Sequence, residues 1–245
     1  MAYEKDGVEY PSVTMITGMI NKPMLLVWSA NCAVDYISDH LEAVRDIFDV
    51  HRGEEVLKDA RTAYKTVSKY ACDSGTQCHK AIEAYIGGKP YEEILETEEA
   101  INGFAAFKDW EKMNHVEWLE SEVQIVSERI GYAGRFDAIA KVNEHRYLID
   151  FKTSKGIYDE MKWQLCAYRQ AYNESPDCTE PIENLAILHL DKFTAEPTFK
   201  PIIKNLERMT ELFNSLVHVY YLMKNRRLKN NPFVKQAKGE CVSIF

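Results

Sequence analysis

Two aspartates and a lysine offer the clearest chemistry in this sequence. Asp137, Asp150 and Lys152 lie in two β-rich runs, GYAGRFDAIAKV (131–142) and RYLIDFKT (146–153), separated by a short polar stretch at Asn143 to His145. If the runs form a hairpin with a two-residue loop at Asn143 and Glu144, Val142 faces His145 and Asp137 falls opposite Asp150. A four-residue loop keeps this register, whereas a three-residue loop sends the two carboxylates to opposite faces. Like charges directly opposed in a sheet are destabilising. The neighbours Phe136, Ile139, Leu148, Ile149 and Phe151 imply a partly buried place, so something positive should sit there. Two converging hard oxygens suit Mg²⁺ or Mn²⁺, with water and a substrate phosphate completing the shell. Side chains alternate along a strand, so Lys152 projects from the same face as Asp150. Its ammonium could stabilise charge on a phosphate or help deprotonate an attacking water. A surface ion-pair cluster on a half-exposed sheet would show the same three residues, and spacing alone leaves both readings open.

The surrounding elements must place those residues. Residues 12–70 carry apolar positions at three and four spacings and predict helices, with a break at Pro23. Ser74 or Thr76 is expected to cap a helix ending at Ile86, before Gly87 and Gly88, and Glu98 to Asn114 reads as another amphipathic helix. After Trp118 the period changes to two, giving a strand around Val123 and Ile125 and then the hairpin. Residues 157–173 read as a helix, 183–191 as a buried strand and 202–228 as a long helix. This order predicts an α/β protein in one domain: a helical N-terminal part (1–72), a mixed-sheet core (73–195), and a C-terminal helix and tail (196–245).

Five features in order carry a resemblance: GTQCH (75–79), GYAGRFD (131–137), LIDFKTSK (148–155), and Gln164 with Tyr168 in QLCAY. Here the chain resembles the RecB-like branch of the PD-(D/E)XK nucleases, which includes phage exonucleases and the mitochondrial genome maintenance exonucleases. The N-terminal SVTMITGMINKPMLLVW is also similar to the opening of phage members. The resemblance implies a restriction-endonuclease-like core, a mixed sheet in αβββαβ order, within the helical N-terminal part and the long C-terminal helix. It implies that Asp137 and Asp150 bind the metal with the backbone carbonyl of Phe151, and that Lys152 is the catalytic lysine. His79 matches a family histidine that sits on a helix beside the metal, which makes it a candidate metal ligand; read alone, it is as ordinary as any helix histidine. Gln164 and Tyr168, one helical turn apart, would position Lys152 or the DNA strand. Glu122, at the expected start of the strand before the hairpin, could add a carboxylate or be an exposed strand-end residue. Lys155 and Arg135 are candidate DNA contacts. Some RecB-like nucleases hold an iron–sulfur cluster through three closely spaced cysteines after the nuclease motifs. Here only Cys178 and Cys241 follow Tyr168, and no cluster is expected.

The implied activity is a Mg²⁺- or Mn²⁺-dependent deoxyribonuclease, an exonuclease of recombination, repair or phage DNA metabolism. Endonuclease action, a DNA-binding or assembly protein that keeps only the fold, or an RNA-directed nuclease are the alternatives. The absence of a P-loop implies that any unwinding needs a separate helicase or recombination partner. The net charge of -8 argues against bulk attraction to nucleic acid, so DNA contacts must be local. The cluster Lys224, Arg226, Arg227 and Lys229, with Lys235 and Lys238 beyond, fits a phosphate patch and a solvated helix end equally. No apolar run is long enough to span a bilayer, and the first residues lack a leader pattern; the expectation is a cytoplasmic protein, not secreted and without membrane contact. Six scattered cysteines fit reduced structural thiols.

Overall fold

The computed structural model describes residues 2–46 and 50–224. The basic residues Arg226, Arg227, Lys229, Lys235 and Lys238, Cys241, and the expected helix beyond Lys224 lie outside the described residues. Contacts divide the chain into two compact units, Met1–Met19 with Gln77–Phe245, and Ile20–Thr76. The sequence carries no linker to announce this division of what composition reads as one domain, because one boundary falls inside a continuous helix, α5 (Ala63–Ile86).

The smaller unit holds α2 (Met24–Asp39), α3 (Leu41–Arg45), α4 (Val50–Ala60) and the first part of α5. Cys32, Ala43, Val56, Ala60 and Ala63 are among its buried residues, and Trp28 meets Tyr64 edge-on. The break expected at Pro23 is the start of α2. Ser74 and Thr76, expected as caps, are interior to α5. Their hydroxyls donate back to the carbonyls of Ala71 and Cys72 at 3.1 and 2.9 Å, which satisfies them without ending the helix.

The larger unit opens with a hairpin absent from the sequence expectation, β1 (Ala2–Lys5) and β2 (Val8–Pro11), followed by α1 (Val13–Thr17). Lys5 pairs with Val8 across Asp6 and Gly7, whose φ values of 52° and 74° make the mirror-image turn that Asp-Gly favours. The last residues of α5 lead into α6 (Glu98–Met113). Gln77 fixes the start of that helix: its side-chain carbonyl accepts from the backbone N–H groups of Glu96 and Thr97 and from the Thr97 hydroxyl. Thr97 in turn caps α6.

Five strands follow in one mixed sheet of order β3-β4-β5-β6-β7: β3 (Val116–Ser127), β4 (Tyr132–Val142), β5 (His145–Lys152), β6 (Asn184–Leu190) and β7 (Pro197–Ile202). Only β5 and β6 are parallel, and α7 (Asp159–Asn173) makes the crossover between them. The helix α8 (Leu206–Met223) closes the described chain, starting four residues after the expected point. The first of those residues, Ile202, ends the edge strand β7. The strand escaped the sequence pattern because it contains Pro197 and Pro201, tolerated only at a strand start or edge.

Both sheet faces are covered. Leu148, Leu185 and Ile187 pack with α1, α7 and α8 through Val13, Ile16, Leu165, Phe213 and Val217. On the other face, Ala140, Ile149, Phe151, Leu188 and Leu190 pack with α5 and α6 through Ile82, Phe104, Phe107 and Trp110. The described chain is thus an α/β protein with a mixed five-stranded sheet flanked by helices. Among the described residues no helix is long and apolar enough to cross a membrane.

Candidate active site

The hairpin between β4 and β5 has the register that brings the carboxylates together. Val142 pairs with His145 across Asn143 and Glu144, with φ of 48° and 70°, and the pairing runs on to Ala138 with Ile149. Asp137 and Asp150 are next in that register. There the ladder gives way: the N–H of Phe151, on the β4 side, donates to Asp137 Oδ2 at 2.6 Å instead of to a strand carbonyl. The N–H and C=O of one strand residue face the same neighbour, so the Phe151 carbonyl faces this opening too.

A second irregularity marks the same spot. Phe136 and Ile139 both join the core on the α7 face, while Ala138 and Ala140 join the other. Unbroken alternation would place residues three apart on opposite faces, so the strand turns about its axis near Asp137. Opposite lies Glu122, with φ of 55°, between the pairs Ser121–Ala138 and Val123–Phe136. Glu122 is therefore not at the strand start, as the sequence suggested, but in the middle of β3. The strand begins six residues earlier, because the Val116–Trp118 run extends it. Glu122 Oε2 is buried and lies 2.6 Å from Arg135 Nε, a charge contact outside the direction of a hydrogen bond. Arg135, an expected DNA contact, is thus engaged with Glu122, although half of its side chain is exposed.

The opening gathers groups from both layers. From α5, His79 Nδ1 lies 3.3 Å from Asp137 Oδ1, and its ring meets Phe151 edge-on. Burial opposes charge on this imidazole, but the carboxylate of Asp137 outweighs it, and the His79 pKa is raised. Burial likewise works against the Asp137 anion, yet His79, Lys152 and the Phe151 N–H hold its pKa below the ordinary value. His79 is here the charge partner of Asp137.

Asp150 is the more deeply enclosed carboxylate, 3% exposed. Burial pushes its pKa up to about 6, against the pull of Lys152 and with a further push from Asp137. Lys152 Nζ stands 2.5 Å from Asp150 Oδ2, but off the axis of a directed hydrogen bond, so this buried oxygen has a charge beside it and no aligned donor. Burial disfavours the ammonium of Lys152, but Asp150 and Asp137 more than compensate and raise its pKa. Lys152 therefore remains a cation at neutral pH.

The helix α7 supplies the lysine's support. Lys152 Nζ donates to Gln164 Oε1 at 3.5 Å, and Gln164 Nε2 donates to the Tyr168 hydroxyl at 2.5 Å. Tyr168 is 3% exposed and can come this close to the sheet because residue 134 is glycine; a Cβ there would stand 2.6 Å from Tyr168 Cε1. The sequence GYAGRFD thus contributes a carboxylate and, three residues earlier, the slot that receives the tyrosine. Beside His79, burial pushes the Cys78 thiol up to about 12, which makes it protonated core and not a nucleophile.

These donors suit a divalent cation of the hard, oxygen-binding type: two carboxylates, that of Asp150 buried, and a backbone carbonyl on the side of Phe151 that faces them. Among the described residues no three His, Cys, Asp or Glu side chains form a ligand shell. Of the other expected contacts, Lys155 is exposed on the segment after β5. Two neighbours across that segment, Lys192 and Phe193, went unremarked in the sequence. Their only signal is a position just past an apolar strand, at the carboxyl ends of a parallel pair where α/β proteins bind ligands. Compared with known proteins, the chain matches no family model and no curated protein.

Proposed function

We propose that this chain is a Mg²⁺- or Mn²⁺-dependent deoxyribonuclease built on the RecB-like PD-(D/E)XK core, acting as an exonuclease on DNA ends. One observation carries the reading: Asp137, Asp150 and Lys152 meet where the β4–β5 ladder opens, with Asp150 Oδ2 buried and lacking an aligned donor. Asp137, Asp150 and the Phe151 carbonyl would hold the metal. When bound, the cation supplies charge that acidifies water and offsets the phosphate. In the hydrolysis, a water oxygen bonds to phosphorus as the bond to the leaving sugar oxygen breaks. Negative charge then grows on the non-bridging oxygens, where a fixed ammonium is worth most. Lys152 fills that role as a cation held beside Asp150. Gln164 and Tyr168 hold Lys152 in place, and His79 keeps Asp137 ionised.

The test is a titration of Mg²⁺ and Mn²⁺ against labelled linear duplex, single strand, closed circle and RNA strand. A ladder of products from an end of the DNA is expected, abolished by Asp150→Ala and by Lys152→Ala with the circular dichroism spectrum retained. Nicking of the closed circle would make the protein an endonuclease, and binding without cleavage an assembly factor. Parental cleavage by Lys152→Ala would overturn the catalytic assignment.

A further inference from the structure

A pocket of about 390 Å³ lies at the carboxyl ends of the parallel pair β5 and β6, lined by Ser154, Lys155, Asp191, Lys192 and Phe193. It begins two residues beyond Lys152. Its walls are set by hydrogen bonds. On one side the Ser154 carbonyl is bound by the His189 ring, and the Ser154 hydroxyl donates to the Gly156 carbonyl at 2.8 Å. On the other, the Asp191 carboxylate accepts the N–H groups of Phe193 and Thr194 at 2.8 and 3.1 Å. Its backbone closes the turn through Ala195, whose φ is 57°. Asp191 is thereby consumed in shaping the loop. The acidic member of the pocket is structural, held ionised by the N–H groups of Phe193 and Thr194, and Lys155 is the exposed cation of the pocket.

Lys192 is 7% exposed, its carbonyl held by Asn102 of α6 at 3.2 Å, and its charge is felt by Cys78, the neighbour of His79. Phe193, next along the same turn, is 61% exposed. An aromatic ring displayed on a hydrogen-bonded turn, with the exposed Lys155 across the pocket, combines the two contacts that hold single-stranded nucleic acid: a stacking surface and a phosphate-binding cation. In a chain of net charge -8, such a contact has to be local.

From this geometry we infer that the pocket is a nucleotide subsite for the strand that enters the active site. Phe193 stacks on a base, and Lys155 takes a neighbouring phosphate. The assignment rests on the nuclease reading for which strand it holds, but its binding chemistry is tested without cleavage.

The experiment uses the full chain and a fluorescein-labelled single-stranded oligonucleotide, with anisotropy in EDTA and cleavage kinetics in Mg²⁺. Phe193→Ala is expected to weaken binding roughly 5- to 100-fold, the range for loss of one base–aromatic stack, and Phe193→Trp to restore it. Lys155→Gln should flatten the slope of log Kd against log salt by about 0.7, one single-strand phosphate contact. An abasic residue scanned along the strand should cost the parent protein as much as Phe193→Ala at one position, and cost Phe193→Ala nothing there. Parental affinity in both variants, or an abasic loss that simply adds to that of Phe193→Ala at every position, overturns the subsite. Binding with this coupling but no cleavage by the parent protein removes the nuclease reading and keeps the subsite. Cleavage with parental KM in both variants does the reverse.

Discussion

Replacing Lys152 with Met should destabilise the metal-free protein in a way that grows with pH. In the parent protein Asp150 titrates at about 6, above its ordinary 3.8, because burial disfavours its charge more than Lys152 restores it. A carboxylate raised in the folded state contributes its full stability below the unfolded pKa and loses that contribution as pH rises through the folded pKa. The parent should therefore weaken between pH 4 and 6 and level off above, when Asp150 is ionised beside Lys152. Without the lysine, burial and the charge of Asp137 remain, so the Asp150 pKa climbs further and folding must carry a proton to higher pH. Each pH unit between the parental pKa and the new one then widens the gap by slightly over 1 kcal/mol, on the order of a tenfold change in protonation. The variant should lie about 1 kcal/mol below the parent at pH 7 and about 3 kcal/mol below at pH 8. At pH 5 Asp150 is mostly protonated in both, and Met should match or exceed the buried ammonium. Urea unfolding in EDTA, followed by tryptophan fluorescence at pH 5, 7 and 8, measures this directly. A stability difference of the same size at all three pH values would refute the placing of Lys152 and Asp150 as a buried pair.

Asp137→Asn should lower the His79 pKa, since burial then acts on the imidazole without the opposing carboxylate; an NMR titration of the ring protons checks the direction. By the same linkage, the stability that His79 draws from Asp137 is present at low pH and fades as pH rises through the raised value, a fade the Asn variant should lack. Gly134→Ala places a methyl 2.6 Å from Tyr168 Cε1, and the overpacking should cost roughly 1–3 kcal/mol and reduce kcat by tilting Gln164 and Lys152. Glu144→Gly relieves a non-glycine residue at φ of 70° in the hairpin turn and should raise stability by about 1 kcal/mol, read from the thermal midpoint, with cleavage unchanged.

The site was largely legible because its geometry is local. A two-residue loop fixes the register of the β4–β5 hairpin, and residue count alone then sets Asp137 against Asp150 and Lys152 on the face of Asp150. The four-residue spacing of Gln164 and Tyr168 likewise predicts that they share a helix face, and their hydrogen bond bears it out. The hairpin at Asp6 and Gly7 was also written in its turn residues, but its strands are charged and lack alternation, so the period argument passed over it. Edge strand β7 was masked by its own prolines.

What the sequence determined by itself is therefore the elements that carry the site and their local register, since helical and strand periods and turn chemistry act over a few residues. The tertiary structure alone decided which layers meet at the opening: His79 from α5 on one face, Gln164 from α7 on the other, and the ladder broken so that Asp137 takes the Phe151 N–H. It also decided the charges. The pKa of Asp150 is raised and that of Asp137 lowered, although the two are the same residue type in adjoining strands, because desolvation and neighbouring charge depend on packing between segments far apart in the chain.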